Sequence, residues 1–190
     1  MKSMIGTLLL VSLFVMGQAQ WAWGPCPDIE PMQNFNPASY MGVWWVALNQ
    51  KDAPFKNSEC GRAEYILNQD GTFKIINSGT RDSKWSSVFG EAYCDKSGDA
   101  VTGACHVTVP EFSFKGPYTV LDTDYKNYSV VYGCTNYYLF HTIYAALFER
   151  EPGDINPSEY VKYYQKEGLT MQDFSLVANE DCPPFPNKWN

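Results

Sequence analysis

Histidine is scarce in this chain: His106 and His141 are the only two. A nucleophile, base and orienting acid are usually assembled around a histidine, and a zinc site needs three or four Cys, His or carboxylate ligands. Neither set of parts is evident, and Cys-x-x-Cys is also missing, so neither catalysis nor a bound metal is expected. Basic residues are few as well, with 14 Lys and Arg against 21 Asp and Glu and a net charge of −7. Nucleic acids and anionic membrane surfaces are met by clustered Lys and Arg, so this balance argues against both as partners. Beyond the first residues there is no apolar run long enough to span a bilayer as a helix. Internal repeats and low-complexity linkers are absent too, which leaves one ordinary globular domain as the simplest layout.

What is present starts at the N-terminus. Lys2, an apolar stretch from Met4 to Met16 and the small residues around Ala19 have the form of a secretory signal peptide over residues 1–19, too short for a transmembrane helix. Residues 20–190 are then the mature domain, secreted into an oxidising, extracellular setting. All six cysteines, Cys26, Cys60, Cys94, Cys105, Cys134 and Cys182, fall in that part. An even number in a secreted chain reads as a disulfide framework, although six cysteines allow fifteen pairings. Aromatic residues make up 16% of the chain, thirteen of them tyrosines, enough to line a cavity with flat, partly polar walls.

Short strand-like segments separated by turn signals follow one another. GVWWVAL comes first, and GRAEYILN and TFKIINSGT flank Asp70-Gly71, a strong hairpin signal. KWSSVFGEAYC, ACHVTV, YTVLDTD, YSVVYGCTN and FHTIYAALFER complete a set of eight antiparallel strands, which suits a meander closing into a sandwich or a barrel. One late segment reads as α-helix: Asn156 as N-cap, Pro157 at the first helical position, Glu159, an apolar stripe of Tyr160, Val161 and Tyr164, and Gly168 as the stop. Asn127-Tyr128-Ser129 is an acceptor sequence for an N-linked glycan at Asn127.

Three short motifs now stand in order: Gly42-x-Trp44 on the first segment, Thr123-Asp124-Tyr125 before the seventh, and Arg150 closing the eighth. Together they make the mature chain similar to a lipocalin, and LDTDYKNYSVVYGC and LFHTIYAALFEREP resemble the apolipoprotein D branch, with its bilin-binding proteins and carotenoid-binding crustacyanins. The resemblance implies an all-β, eight-stranded antiparallel up-and-down β-barrel with one C-terminal α-helix. It implies that Gly42, Trp44 and Arg150 close one end, with the arginine across the indole, and that Trp45 points outward, beneath the late helix. It also implies the bridges Cys26–Cys134 and Cys60–Cys182. Cys94 and Cys105 depart from the branch's pattern; a bridge between them across adjacent strands is expected to rigidify a loop near the mouth.

With Trp44 and the family register as anchors, the period of two turns Val46 and Leu48; Ala63, Tyr65 and Leu67; Phe73, Ile75 and Asn77; Tyr118 and Val120; Ser129, Val131 and Gly133; and Thr142, Tyr144 and Ala146 inward. Of these, Val46, Ala63, Tyr65, Phe73, Ile75, Asn77, Tyr118, Val120, Ser129, Val131, Tyr144 and Ala146 are the candidate ligand contacts. His141 turns outward. The implied function is a secreted, monomeric or weakly oligomeric carrier that sequesters one small hydrophobic ligand, with the loop from Ala53 to Glu59 controlling access. A bilin such as biliverdin, a carotenoid, a retinoid, a sterol or a fatty acid would suit, and none is an obligatory cofactor. Two rival readings stay open: a lipocalin-scaffold enzyme such as an isomerase, which predicts a free cavity thiol, and a protein-interaction or inhibitor module with a filled barrel.

Overall fold

The computed structural model describes residues 21–51 and 59–186. The expected signal peptide, residues 1–19, and residues 53–58 of the expected access loop lie outside the described residues. Eight strands follow in chain order: β2 (Gly42–Gln50), β3 (Glu59–Leu67), β4 (Phe73–Arg81), β5 (Lys84–Ser97), β6 (Ala100–Val109), β7 (Phe114–Thr123), β8 (Tyr128–Asn136) and β9 (Phe140–Glu149). Each pairs antiparallel with the next, and β9 returns to β2, closing the barrel. Closure leaves no free edge in the barrel, which suits a chain with so many short strands. A short β1 (Trp21–Trp23) extends the sheet along the start of β9, and β10 (Phe174–Leu176) lies along the end of β2.

The turns follow from local chemistry. Gly71 takes φ +87° between β3 and β4, where a left-handed residue lets the hairpin twist with its strands. Asp70 accepts from the backbone N–H and the hydroxyl of Thr72 at 3.0 and 2.6 Å, which fixes the same turn.

Two apolar clusters lie on either side of the barrel wall. The inner one contains Trp44, Tyr65, Phe73, Ile75, Val120, Val131, Ala146 and Phe148. The outer one contains Leu48, Val130, Tyr132 and Leu147 from the wall, covered by Val161, Tyr164, Leu169 and Phe174. Two expected inward residues are corrected here. The β2–β9 register shifts between Val46 and Leu48, so Ala47 is an extra residue that moves Leu48 onto the outer face. Leu67, also expected inward, is 41% exposed at the closed end, because β3 ends there and no barrel wall continues over it.

The late helical segment lies where the pattern placed it, but as 3-10 turns at Pro157–Glu159 and Val161–Glu167 rather than as an α-helix. Valine and clustered tyrosines have weak α propensity, and a three-residue period stacks Val161 over Tyr164. Both are buried against the barrel, and the Tyr164 hydroxyl donates to the Ala146 carbonyl at 2.7 Å. Gly168, at φ +70°, ends the segment. Trp45 is not among the residues beneath it. Its ring faces the Arg62 guanidinium, which lies 5.9 Å from the Trp45 centroid and 3.7 Å from that of Phe185 in the C-terminal tail.

All six cysteines are bridged: Cys26–Cys134, Cys60–Cys182 and Cys94–Cys105. The first two tie the N-terminal segment to β8 and the C-terminal tail to β3. The third is not near the mouth. It joins the end of β5 to the start of β6 at the closed end, on the inner face, where Cys105 is 2% exposed. Both strands meet at Gly98, and the hairpin formed there points away from the mouth, so the expected position near the opening is reversed.

Candidate functional site

The floor of the barrel is built from the three short motifs. Gly42 sits at φ +93°, a left-handed conformation that costs glycine nothing, and a Cβ there would lie 3.4 Å from an Arg150 nitrogen. This lets the chain turn tightly from helix α1 (Pro37–Tyr40) into β2. Trp44 is fully buried, and its indole N–H donates to the Tyr40 carbonyl at 2.8 Å. The Arg150 guanidinium lies 3.7 Å from the indole centroid. It donates to the carbonyls of Val43 at 2.7 Å, Tyr125 at 3.0 Å and Tyr40 at 3.3 Å. A cation over an indole contributes about 0.5–2 kcal/mol, whereas burying roughly 200 Å² of side chain contributes on the order of 5 kcal/mol. Burial therefore dominates, and Arg150 seals and orients.

Thr123-Asp124-Tyr125 shapes the adjoining turn. Burial pushes the Asp124 carboxyl up, but hydrogen bonds from Asn127, Tyr128 and Lys126 outweigh it and hold the group below its ordinary value. The Tyr125 ring stacks on Phe35, and its hydroxyl accepts from the Asn36 N–H at 3.1 Å, joining the segment before α1 to the floor.

Above the floor the wall changes character. Val46, Asn77, Val88, Tyr118 and Tyr144 occupy inward register positions, yet each is only half-buried. Neighbouring strands approach closely here, so two positions require glycine: a Cβ on Gly133 would meet the Pro117 carbonyl oxygen at 2.7 Å, and one on Gly90 the Thr108 carbonyl oxygen at 2.9 Å. Four hydroxyls cross the deep part in a chain. Tyr65 meets Tyr118 at 2.7 Å, Tyr118 meets Tyr40 at 2.9 Å, and Tyr40 meets Ser129 at 2.9 Å. Burial raises the Tyr65 and Tyr118 hydroxyls well above the usual tyrosine value and pushes Tyr40 up to about 12, so all three stay protonated at neutral pH.

Comparison with known proteins agrees with this geometry. Residues 36–151 match the lipocalin-like domain family. The chain belongs to the lipocalin family. It is 30% identical over 195 residues to apolipoprotein D of Macaca fascicularis, covering 96% of this chain and 100% of that protein. To the bilin-binding protein of Pieris brassicae it is 31% identical over 113 residues, 58% of each. Its fold superimposes on insecticyanin from Manduca sexta with a TM-score of 0.69 at 20% identity, covering 85% of this chain and 91% of that one.

Within this lipocalin, Val46, Ala63, Tyr65, Phe73, Ile75, Tyr118, Val120, Val131, Tyr144 and Ala146 all belong to or pack against the inner cluster. Asn77 lies opposite Val88 on the same face, and Ser129 joins the hydroxyl chain. Tyr40 was not anticipated, although it is the hub of the floor. The visible signal is Asn36-Pro37 four residues before it: the Asn36 side chain caps a one-turn helix that carries Tyr40 inward. Ala92, Cys105, Val107 and Phe148 also line the interior and were not assigned; alternation from Ala146 would have reached Phe148. The two histidines lie on separate outer faces. His106 stacks on Tyr93 and meets Asp95 at 3.0 Å, while His141 Nδ1 lies 2.9 Å from the Gly24 carbonyl. Asn127 is exposed at the closed-end turn.

Proposed function

We propose that this lipocalin is a secreted carrier that sequesters one small hydrophobic molecule in its barrel. The observation that carries the reading is the set of half-buried inward residues above a sealed floor. Val46, Asn77, Tyr118 and Tyr144 are the contacts that line free space. Phe73, Ile75, Val120, Val131, Ala63 and Ala146 supply apolar wall, with Tyr65 and Ser129 at the base. Apolar burial provides affinity and a few hydroxyls orient the ligand, the usual composition of a small-molecule pocket. The bilin-binding protein among its relatives supports a pigment such as a bilin or carotenoid as one class of cargo, beside a retinoid, a sterol or another lipid. Three disulfides suit an oxidising extracellular setting, and the exposed Asn127 can carry a glycan there. The carrier acts as a monomer or weak homo-oligomer, and among the described residues no helix is long and apolar enough to cross a membrane.

The isomerase reading needs a free cavity thiol, and every cysteine is bridged. The filled-barrel reading needs an inner face without accessible surface, and the half-buried Val46 and Tyr144 favour the carrier over it. The test is an absorption spectrum and native mass of protein purified from its own source, followed by titration with a fluorescent lipid probe. A visible band with matching extra mass, or saturable one-to-one probe binding, is the expected result. A colourless protein of bare mass that no apolar probe enters would overturn the carrier reading.

A further inference from the structure

Four hydroxyls meet in the deep part of the barrel. Tyr65, Tyr118, Tyr40 and Ser129 are linked by three short contacts. Each hydroxyl owns one proton, so four protons serve three links. Whichever way the chain is polarised, one hydroxyl keeps a proton unused within it. Tyr118 is the half-buried tyrosine of the chain, and its hydroxyl meets both Tyr65 and Tyr40; when those two donate to it, its own proton is the unused one. Such a site donates to a carbonyl or exchanges bonds with an alcohol.

No charge waits there for a counter-ion. The charged side chains buried in the wall, Arg62 and Glu149, alternate with inward residues and lie on the outer face. Arg150 is the cation whose field reaches Tyr40 and Tyr65, but the Trp44 ring lies across its guanidinium and four of its five N–H groups donate to the Val43, Tyr125, Ser39 and Tyr40 carbonyls. Between Trp44 and the level of Asn77 and Val88, the inward register positions among the described residues carry no Asp, Glu, Lys, Arg or His. A carboxylate carried to this depth would lose its hydration and meet no cation on the inner face, with Arg150 behind the Trp44 ring, which is unfavourable unless it takes up a proton.

We infer that the deep half of the lumen receives the neutral oxygen of an apolar ligand, a ketone or an alcohol, on the Tyr118 hydroxyl, and selects against carboxylates. The inference rests on the carrier reading and narrows it to a ligand class.

Three long-chain compounds of equal carbon number, a primary alcohol, a methyl ketone and a carboxylic acid, should be titrated against the neutral dye Nile red bound to the mature protein. At neutral pH the alcohol and ketone are expected to displace the dye at concentrations at least roughly tenfold lower than the acid. The gap should narrow as the pH falls toward the acid's own pKa. In Tyr118→Phe, checked for its fold by circular dichroism, the ratio of ketone to acid affinity is expected to collapse; Tyr65→Phe is the second variant should the first not fold. Equal or tighter binding of the acid by the wild-type protein at neutral pH overturns the inference and leaves the carrier reading standing. Failure of Nile red itself to bind removes the carrier reading and this inference with it.

Discussion

Trp44 and Val46 stand two residues apart on one strand and face the same way, yet they do different work. Trp44 is fully buried, hydrogen-bonded through its indole and covered by Arg150. Val46 is half-buried and belongs to the margin of the inner cluster. The lower end of the barrel is a packed core, and on the carrier reading the upper half is a lined space. A carrier needs both, because a void flanked only by flexible wall would collapse, while a wall packed throughout would hold nothing. Stability should therefore be concentrated at the floor and ligand binding above it.

The largest expected effect comes from cutting the floor. Trp44→Ala removes a fully buried ring and leaves Arg150 without its cover, so a loss of about 3–5 kcal/mol is expected. Val46→Ala removes methyl groups that already border open space and should cost about 1 kcal/mol or less. Denaturant unfolding of both variants measures the contrast. Equal losses would mean that the upper lumen is packed like the floor and would break the comparison.

Alkaline titration tests the same division without mutation. Burial raises the Tyr40 hydroxyl from 10.0 to about 12, the hydrogen bonds to Ser129 and Tyr118 opposing the shift. The folded state then holds this proton more tightly than the unfolded chain. Its contribution is fully present below pH 10 and is lost as the pH rises from 10 toward 12. At about 1.36 kcal/mol per unit, Tyr40 alone accounts for on the order of 3 kcal/mol. Tyr65 and Tyr118 shift in the same direction. A late phase of tyrosinate absorbance that coincides with loss of near-ultraviolet circular dichroism is expected. Tyrosinate formation complete before any loss of structure would show that the floor is open to solvent.

How much of this could be read beforehand depends on what kind of signal carried it. The motifs Gly42-x-Trp44, Thr123-Asp124-Tyr125 and Arg150 gave the barrel and its closed end, because their roles are local: a left-handed turn, a capped loop, a cation over a ring. Alternation gave the inward sets on β4, β7, β8 and β9, and on β3 as far as Tyr65. It failed where periodicity was interrupted. The extra residue Ala47 reverses Leu48, and no composition signal marks it, since Val46, Ala47 and Leu48 are all apolar. Cys94–Cys105 was placed at the wrong end because a turn between two strands does not say which way it points; only the count of hairpins around the barrel does. The surroundings of Trp45 are not legible because the group over its ring is a charged residue, Arg62, on the paired strand, and Arg62 is itself held by Phe185 from the distant C-terminal tail. The 3-10 turns in place of α-helix reflect tertiary docking of Val161 and Tyr164, which helix signals at Asn156 and Gly168 do not report.

The smallest expected effect on stability is also the sharpest test of the division. Val46→Phe adds a ring to the lined space rather than to the packed floor. Overpacking is costly where neighbours already touch, but Val46 borders free lumen, so unfolding should shift by no more than about 1 kcal/mol. The same ring occupies volume that a ligand would need, so Nile red affinity should fall by roughly tenfold or more, about 1.4 kcal/mol. The two readouts separate only if stability and cargo space occupy different layers of the barrel. A variant that binds the dye unchanged would place the cargo away from β2, nearer β4 to β7, and Asn77 and Tyr118 would then define the chamber. A variant that loses stability together with affinity would show that Val46 is part of the floor, and that the boundary between packed core and chamber lies higher than the half-buried residues mark it.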